Sequence, residues 1–213
     1  MIINIGRQLA SGGKTIGSLL AKRFDMAYYD KDLLRIAAKE SGLTAETFER
    51  IDEQPNQTLL SSFMGFTGIG GFTAMGLNYS YNTGLSDQEL FRIQSDVIRK
   101  LADRKPSVFV GRCADYILRS RTDCLNIFFY ADFQDRIDRI RRNNSDMSEK
   151  QAAKIIEETD KIRSQYYNFY TNKVWGHSIS YHLCINTSIL GVEATADFLE
   201  GYISKVKQQN EKQ

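Results

Sequence analysis

The stretch whose residue types and spacing best suit chemistry is Gly12-Gly13-Lys14-Thr15, preceded by Ala10 and Ser11. Small side chains there let successive backbone N–H groups turn toward one point, and the positive end of a following helix adds to them. Such a concavity selects a polyphosphate. Lys14 is placed to reach β- and γ-phosphates, and the Thr15 hydroxyl to ligate magnesium. The pattern is irregular: a Gly-x-x-x-x-Gly-Lys-Thr reading puts Gln8 where its first glycine belongs, and a tighter reading needs one extra glycine and meets Ala10 where glycine is usual. A plain glycine turn with a solvated Lys14 is the competing explanation. It is outweighed because a β-branched strand, a small-residue run, a Lys-Thr pair and an amphipathic helix follow one another here.

Phosphoryl transfer asks a protein for positive charge held around three equatorial oxygens, so the other candidates are basic residues at strand ends or on a closing segment. Arg112 meets the first description. Arg136, Arg139, Arg141 and Arg142 on one helix, with Arg163 across a connection, meet the second. A solvated helix face explains most of that run; Arg136 and Arg139 share a face and are the exceptions. Asp160 and Arg163, three apart, would alone be an ordinary helix pair worth ~0.2–0.5 kcal/mol. Asp30 and Asp32 follow a second short strand, although Asp32 also suits a helix N-terminus on dipole grounds. His177 and His182 lack metal-ligand company and Trp175 reads as a loop anchor. Cys113, Cys124 and Cys184 contain no Cys-x-x-Cys pair; Cys124 and Cys184, in apolar strand-like runs, read as packing residues, while Cys113 follows a strand end where it could line a site, with nothing nearby to activate its thiol.

These residues need elements to carry them. Strands are expected at 2–5, 26–29, 107–110, 125–130 and 181–185. Helices are expected after Thr15, at 31–41, from the Ser86-Asp87-Gln88-Glu89 capping box to about residue 102, at 134–142, from a Ser148/Gln151 cap to about residue 170, and from about residue 192. Strands that alternate with helices predict a five-stranded parallel sheet with helices on both faces, whose ligand lies across the carboxyl ends of the strands. Lys14 and Thr15, Asp30 and Asp32, and Arg112 all fall at such ends. Residues 54–84 carry no Asp, Glu, Lys or Arg, and their glycines and aromatics follow no steady period. That insert reads as a mobile flap or an interface loop, a homodimer contact being one form of the latter.

The 213 residues suit a single α/β domain spanning 1–213. A formal net charge of +2 with scattered basic residues argues against nucleic acid as partner. No stretch approaches the ~20 apolar residues of a membrane span, and Met1 leads straight into a strand, so a cytoplasmic protein is expected.

Taken together the chain resembles the cytidylate-kinase-like family of bacterial P-loop proteins, related to the nucleoside-monophosphate kinases. The resemblance rests on Gly-Arg-Gln-Leu-Ala-Ser-Gly-Gly-Lys-Thr-Ile-Gly at 6–17, Tyr-Tyr-Asp-Lys-Asp-Leu-Leu at 28–34, Val-Gly-Arg-Cys-Ala-Asp-Tyr-Ile-Leu at 110–118, Thr-Asp-Lys-Ile-Arg-Ser-Gln-Tyr-Tyr at 159–167 and Ile-Asn-Thr-Ser at 185–188. It implies a three-layer P-loop fold with a lid over about 132–170, and transfer of the ATP γ-phosphoryl group with magnesium to CMP or dCMP. By resemblance Ser11, Gly12, Gly13, Lys14 and Thr15 hold ATP, Arg136 and Arg139 assist, and Asp160 and Arg163 form the lid's Asp-x-x-Arg. Asp30, Asp32 and Arg35 would border the acceptor, and Arg112 would grip its phosphate. The family's Gly-Arg-Asp reads Gly111-Arg112-Cys113 here, the acid recurring at Asp115, which by resemblance would contact the acceptor. Two other readings stand beside this one: a shikimate-kinase-like enzyme with an alcohol acceptor served by Asp30-x-Asp32, and a nucleotide-responsive binding protein without turnover.

Overall fold

The computed structural model describes residues 1–30, 33 and 87–210. The expected helix at 31–41, Ser86 of the capping box and the 54–84 insert lie outside them. In chain order the elements are β1 (Ile2–Arg7), α1 (Gly13–Arg23), β2 (Ala27–Tyr29), α2 (Asp87–Arg104), β3 (Ser107–Val110), α3 (Ala114–Ile117), β4 (Cys124–Tyr130), α4 (Phe133–Asn143), α5 (Glu149–Thr171), a 3₁₀ turn at Ser178–Ser180, β5 (Leu183–Asn186) and α6 (Thr187–Asn210). Backbone contacts divide the chain into two compact units, Met1–Asp30 with Ala102–Gln213, and Lys31–Leu101. The second is described only at Leu33 and along α2, where Val97, Ile98 and Leu101 are buried.

The first unit holds one parallel sheet in the order β2-β3-β1-β4-β5. β1 lies at its centre because it is β-branched and apolar enough to be covered on both faces, as parallel strands are. Ile3 and Ile5 point to one face, where they meet Ile16, Leu20 and Ala21 of α1 and Ala196, Leu199 and Ile203 of α6, with Val108, Val110, Ile127 and Phe129 beside them. Full burial of each such side chain is worth roughly 1.5–3 kcal/mol, so this layer fixes α1, and the loop before it, against β1. On the other face the alternation places Asn4, which is 2% exposed and donates from Nδ2 to Asn126 Oδ1 at 2.8 Å, its partner in the β1–β4 register.

Among the described residues the expected elements are present with small shifts. β1 continues two residues further, to Arg7. The single turn α3 is too short for any periodicity to announce. The closing helix begins one turn early at Thr187 and is interrupted at Gly191 (φ 78°, ψ 176°), so its long part does start at Val192. The α5 cap forms as read, with Gln151 N–H donating to Ser148 Oγ and the Gln151 side chain reaching back to the Ser148 N–H. Among the described residues no helix is long and apolar enough to cross a membrane.

At its first residue α1 lies close against the sheet, since a Cβ on Gly13 would stand 2.9 Å from Arg7 Cβ and 3.0 Å from Phe129 Cδ2. Gly13→Ala is therefore expected to overpack this junction and cost about 1–3 kcal/mol. A urea midpoint lowered at unchanged slope is the measurement; an unchanged midpoint would contradict the packing described.

Candidate functional site

The segment between β1 and α1 is shaped from outside. Gln8 donates its N–H to Phe129 O at 3.0 Å and accepts from Ala131 N–H at 3.3 Å through Oε1, so it is fastened to the end of β4. Leu9 is held three ways. Its N–H donates to Asp160 Oδ1 at 2.8 Å, its carbonyl accepts from Arg136 Nε at 2.8 Å, and its side chain packs with Ile137, Ala152 and Ile156 of α4 and α5. Arg136 also pairs with the second oxygen of Asp160. The next carbonyl, Ala10 O, accepts from Arg139 Nη1 at 3.1 Å, and the one after it, Ser11 O, accepts from Thr187 Oγ1 at 2.6 Å.

Three consecutive carbonyls are thus turned outward onto Arg136, Arg139 and Thr187. Ala10 (φ 58°) and Gly12 (φ 83°) take the left-handed conformation that alternates the peptide planes; for alanine this costs roughly 1–2 kcal/mol. A Cβ at Gly12 would also lie 2.7 Å from Val192 Cγ2. The N–H groups of Ala10, Gly12, Gly13, Lys14 and Thr15 have no protein acceptor among the described residues. Backbone donors are rarely left so, and a run of five at a helix N-terminus is an anion cradle. Lys14 and Thr15 are exposed beside it. This geometry fits the phosphates of a nucleotide. Among the described residues no cluster of three His, Cys, Asp or Glu side chains could hold a metal ion.

A second group of charges stands at the neighbouring strand ends. Asp30, after β2, is 9% exposed and lies 3.5 Å from Lys14 Nζ and 3.4 Å from Arg7 Nη2. Arg163 on α5 donates to Arg7 O at 3.3 Å. Arg112 follows β3 in a run of three left-handed residues, Gly111 (φ 79°), Arg112 (φ 60°) and Cys113 (φ 55°), and a Cβ at Gly111 would collide with the Arg7 guanidinium. Burial lowers the pKa of Arg7, Arg112 and Arg163; at Arg163 it falls to about 9, with the nearby Arg7 charge the next cause. A guanidinium in that range is still charged at neutral pH. Among the described residues Asp30 lies near Arg7, Lys14, Arg112 and Arg163, while Asp160 bonds Leu9 and Arg136. Guanidinium groups gathered in this way suit an anion.

Ser11, Gly12, Gly13, Lys14, Thr15, Arg136, Arg139 and Asp160 therefore gather at the loop, and Asp30, Arg112 and Arg163 at the adjoining strand ends. Arg136 and Arg139 touch the outer, carbonyl side of the loop. Asp115 is turned into the interior, accepting from Tyr167 Oη–H at 2.7 Å; burial pushes its carboxyl up while that bond opposes the shift. Asp32 and Arg35 lie outside the described residues. Sequence reasoning passed over Arg7 and Thr187, although both stand inside quoted motifs: a basic residue that ends the central strand is the signal that points to Arg7.

Comparisons with known proteins agree with this architecture. A sequence model described as the cytidylate kinase-like family matches residues 2–189. A crystal structure of an uncharacterized protein from Eubacterium ventriosum is 26% identical, with 96% of this chain and 98% of that one covered and a TM-score of 0.69. A shikimate kinase from Bacteroides thetaiotaomicron is similar in fold, at 12% identity, the same coverage and a TM-score of 0.51. No curated protein matches.

Arg136→Leu would strand a buried carboxylate at Asp160 and leave the Leu9 carbonyl without its donor. Breaking such a pair from one side costs about 3–5 kcal/mol, whereas Arg142→Leu, on the exposed side of the same helix, should stay within about 0.5 kcal/mol of the parent. Equal urea midpoints for the two variants would refute the clamp.

Proposed function

The chain belongs to the cytidylate kinase-like family, and from that membership we propose that it is an ATP-dependent phosphotransferase whose acceptor is a nucleoside monophosphate of the cytidylate kind. The observation that carries this reading is the pairing of two anion-seeking sites: a cradle of unpaired N–H groups at residues 10 and 12–15, and beside it the guanidinium groups of Arg7, Arg112 and Arg163 around Asp30. Phosphoryl transfer is served by positioning and charge stabilisation and not by covalent help from the protein.

In this reading Ser11 to Thr15 hold the β- and γ-phosphates, Lys14 leaves Asp30 to meet them, and Thr15 supplies the hydroxyl for magnesium, which neutralises phosphate charge when bound. Ile189 and Leu190 are 76% and 51% exposed on the turn between Thr187 and Val192, both of which touch the loop. They offer an apolar edge to a nucleobase. Arg112 and Arg163 would receive the acceptor's phosphate and the transferring group. A phosphate acceptor is already an oxyanion and needs no base.

The test is ADP release from Mg-ATP against CMP, dCMP, UMP, AMP, GMP and shikimate, for the parent chain and Lys14→Ala. Release that depends on a cytidine monophosphate and falls by about 10²-fold or more in the variant is expected, the size that loss of one transition-state donor produces. Release with shikimate alone would move the assignment to an alcohol acceptor. Binding of ATP without any acceptor-dependent release would leave a nucleotide-binding protein on a kinase fold.

A further inference from the structure

One face of α5 reaches three segments of the strand-end region in succession. Asp160, Arg163 and Tyr167 are spaced i, i+3 and i+7, so they stand on the same side of the helix. Asp160 holds the Leu9 N–H after β1, Arg163 holds the Arg7 carbonyl at the end of β1, and Tyr167 holds Asp115 after β3. The first two contacts belong to the site described above. The third is a buried acid with a buried phenol, 9% and 5% exposed, in a part of the molecule that touches no phosphate in the reading above.

Asp115 is bonded into the backbone that carries Arg112. Ala114 N–H donates to Gly111 O at 3.2 Å, and Tyr116 and Ile117 N–H donate to Cys113 O at 3.0 and 2.9 Å, so the left-handed run and the single turn of α3 form one hydrogen-bonded piece. A four-residue helix has too few internal bonds to fix its own orientation. The long helix α5, capped at its start, supplies the reference instead, through the 2.7 Å bond from Tyr167 Oη to Asp115 Oδ2. The tyrosine is seated by its own neighbours: its ring stacks at 6.2 Å on Tyr181, which lies 5.0 Å from Phe128, and Gly6 leaves room for the Tyr181 hydroxyl, only 3.0 Å from where a Cβ would be.

We propose that Asp115 and Tyr167 are positioning residues whose buried hydrogen bond sets Arg112 against Arg163, so that the two guanidiniums act as one anion-binding array. This replaces substrate contact as the role of Asp115, and it rests on the reading of the strand ends as a phosphate site. Tyr167 lies one helical turn beyond Arg163 on α5, and Asp115 lies three residues beyond Arg112, across the end of the left-handed run. Loss of the bond leaves both arginines in place and removes what fixes their spacing.

The test uses the full chain saturated with Mg-ADP, with inorganic phosphate as the probe of the array. Phosphate affinity, Mg-ADP affinity, thermal midpoint and CMP-dependent turnover are measured for the parent, Tyr167→Phe, Asp115→Asn, and the double variant Asp115→Leu with Tyr167→Phe. Tyr167→Phe is expected to weaken phosphate binding tenfold or more, with Mg-ADP affinity unchanged within about twofold. Asp115→Asn keeps an acceptor oxygen for the phenol and should retain most of the binding. The double variant removes both partners of the bond together, so it should fold and still bind phosphate tenfold more weakly. Parent-like phosphate affinity in a folded double variant would overturn the proposal, as would an equal loss of Mg-ADP and phosphate binding. Absence of turnover in a parent that binds phosphate, with Tyr167→Phe weakening it, would remove the kinase reading and leave the positioning role standing. Turnover in the parent that the double variant matches in kcat and KM would do the reverse.

Discussion

The outward turn of three successive carbonyls, at Leu9, Ala10 and Ser11, is the constraint on which the rest of the site depends. A loop can offer its N–H groups to an anion only if the alternate faces of its peptides are satisfied elsewhere. Here that satisfaction comes from side chains on three helices: Arg136 and Arg139 of α4 and Thr187 of α6 take the carbonyls, and Asp160 of α5 takes the Leu9 N–H. The loop therefore has little freedom of its own. Its shape is a property of how α4, α5 and α6 pack, and their packing rests on Ile137, Ala152 and Ile156 on one side and on the β1-facing layer of α1 and α6 on the other.

This arrangement gives the irregular loop sequence a physical explanation. Glycine at the loop's usual positions serves to let the backbone turn sharply. Gln8 instead bonds across to β4, and Ala10 accepts a left-handed conformation whose cost is offset by the Arg139 bond to its carbonyl. The two glycines that remain, Gly12 and Gly13, stand where a side chain would strike Val192 or Arg7 and Phe129. Charge follows the same logic. Arg136 is paired with Asp160 and serves structure, while Arg7, Arg112 and Arg163 bring guanidinium groups to the strand ends around Asp30.

Much of this was legible in the sequence. Periodic apolar runs marked β1, β3, β4 and the long helices, because each buries a stripe or a whole strand, and Ser148 with Gln151 marked a helix start because a capping box is local chemistry. What local pattern could not show was who satisfies whom across the fold. Arg136 and Asp160 are 24 residues apart, and Thr187 meets Ser11 from 176 residues away. The types of Arg136 and Asp160 suggested work on phosphate, and Thr187 drew no reading; the side chains of all three bond loop backbone. Arg7 was hidden for a different reason: a single basic residue at the end of an apolar strand reads as an edge, and only the arrival of Asp30, Arg112 and Arg163 gives it company. Tyr167 is buried, yet its hydroxyl has a specific partner 52 residues away in Asp115, which no local pattern announces.

The central claim is that the backbone N–H groups of residues 10 and 12–15 face a common point and await an anion. Amide ¹H–¹⁵N spectra recorded while Mg-ADP is added test it directly. Large downfield shifts and slowed hydrogen exchange confined to Ala10, Gly12, Gly13, Lys14 and Thr15, with smaller changes at Arg139 and Thr187, are the expected result. Binding of Mg-ADP that leaves those five amides unmoved would contradict the account.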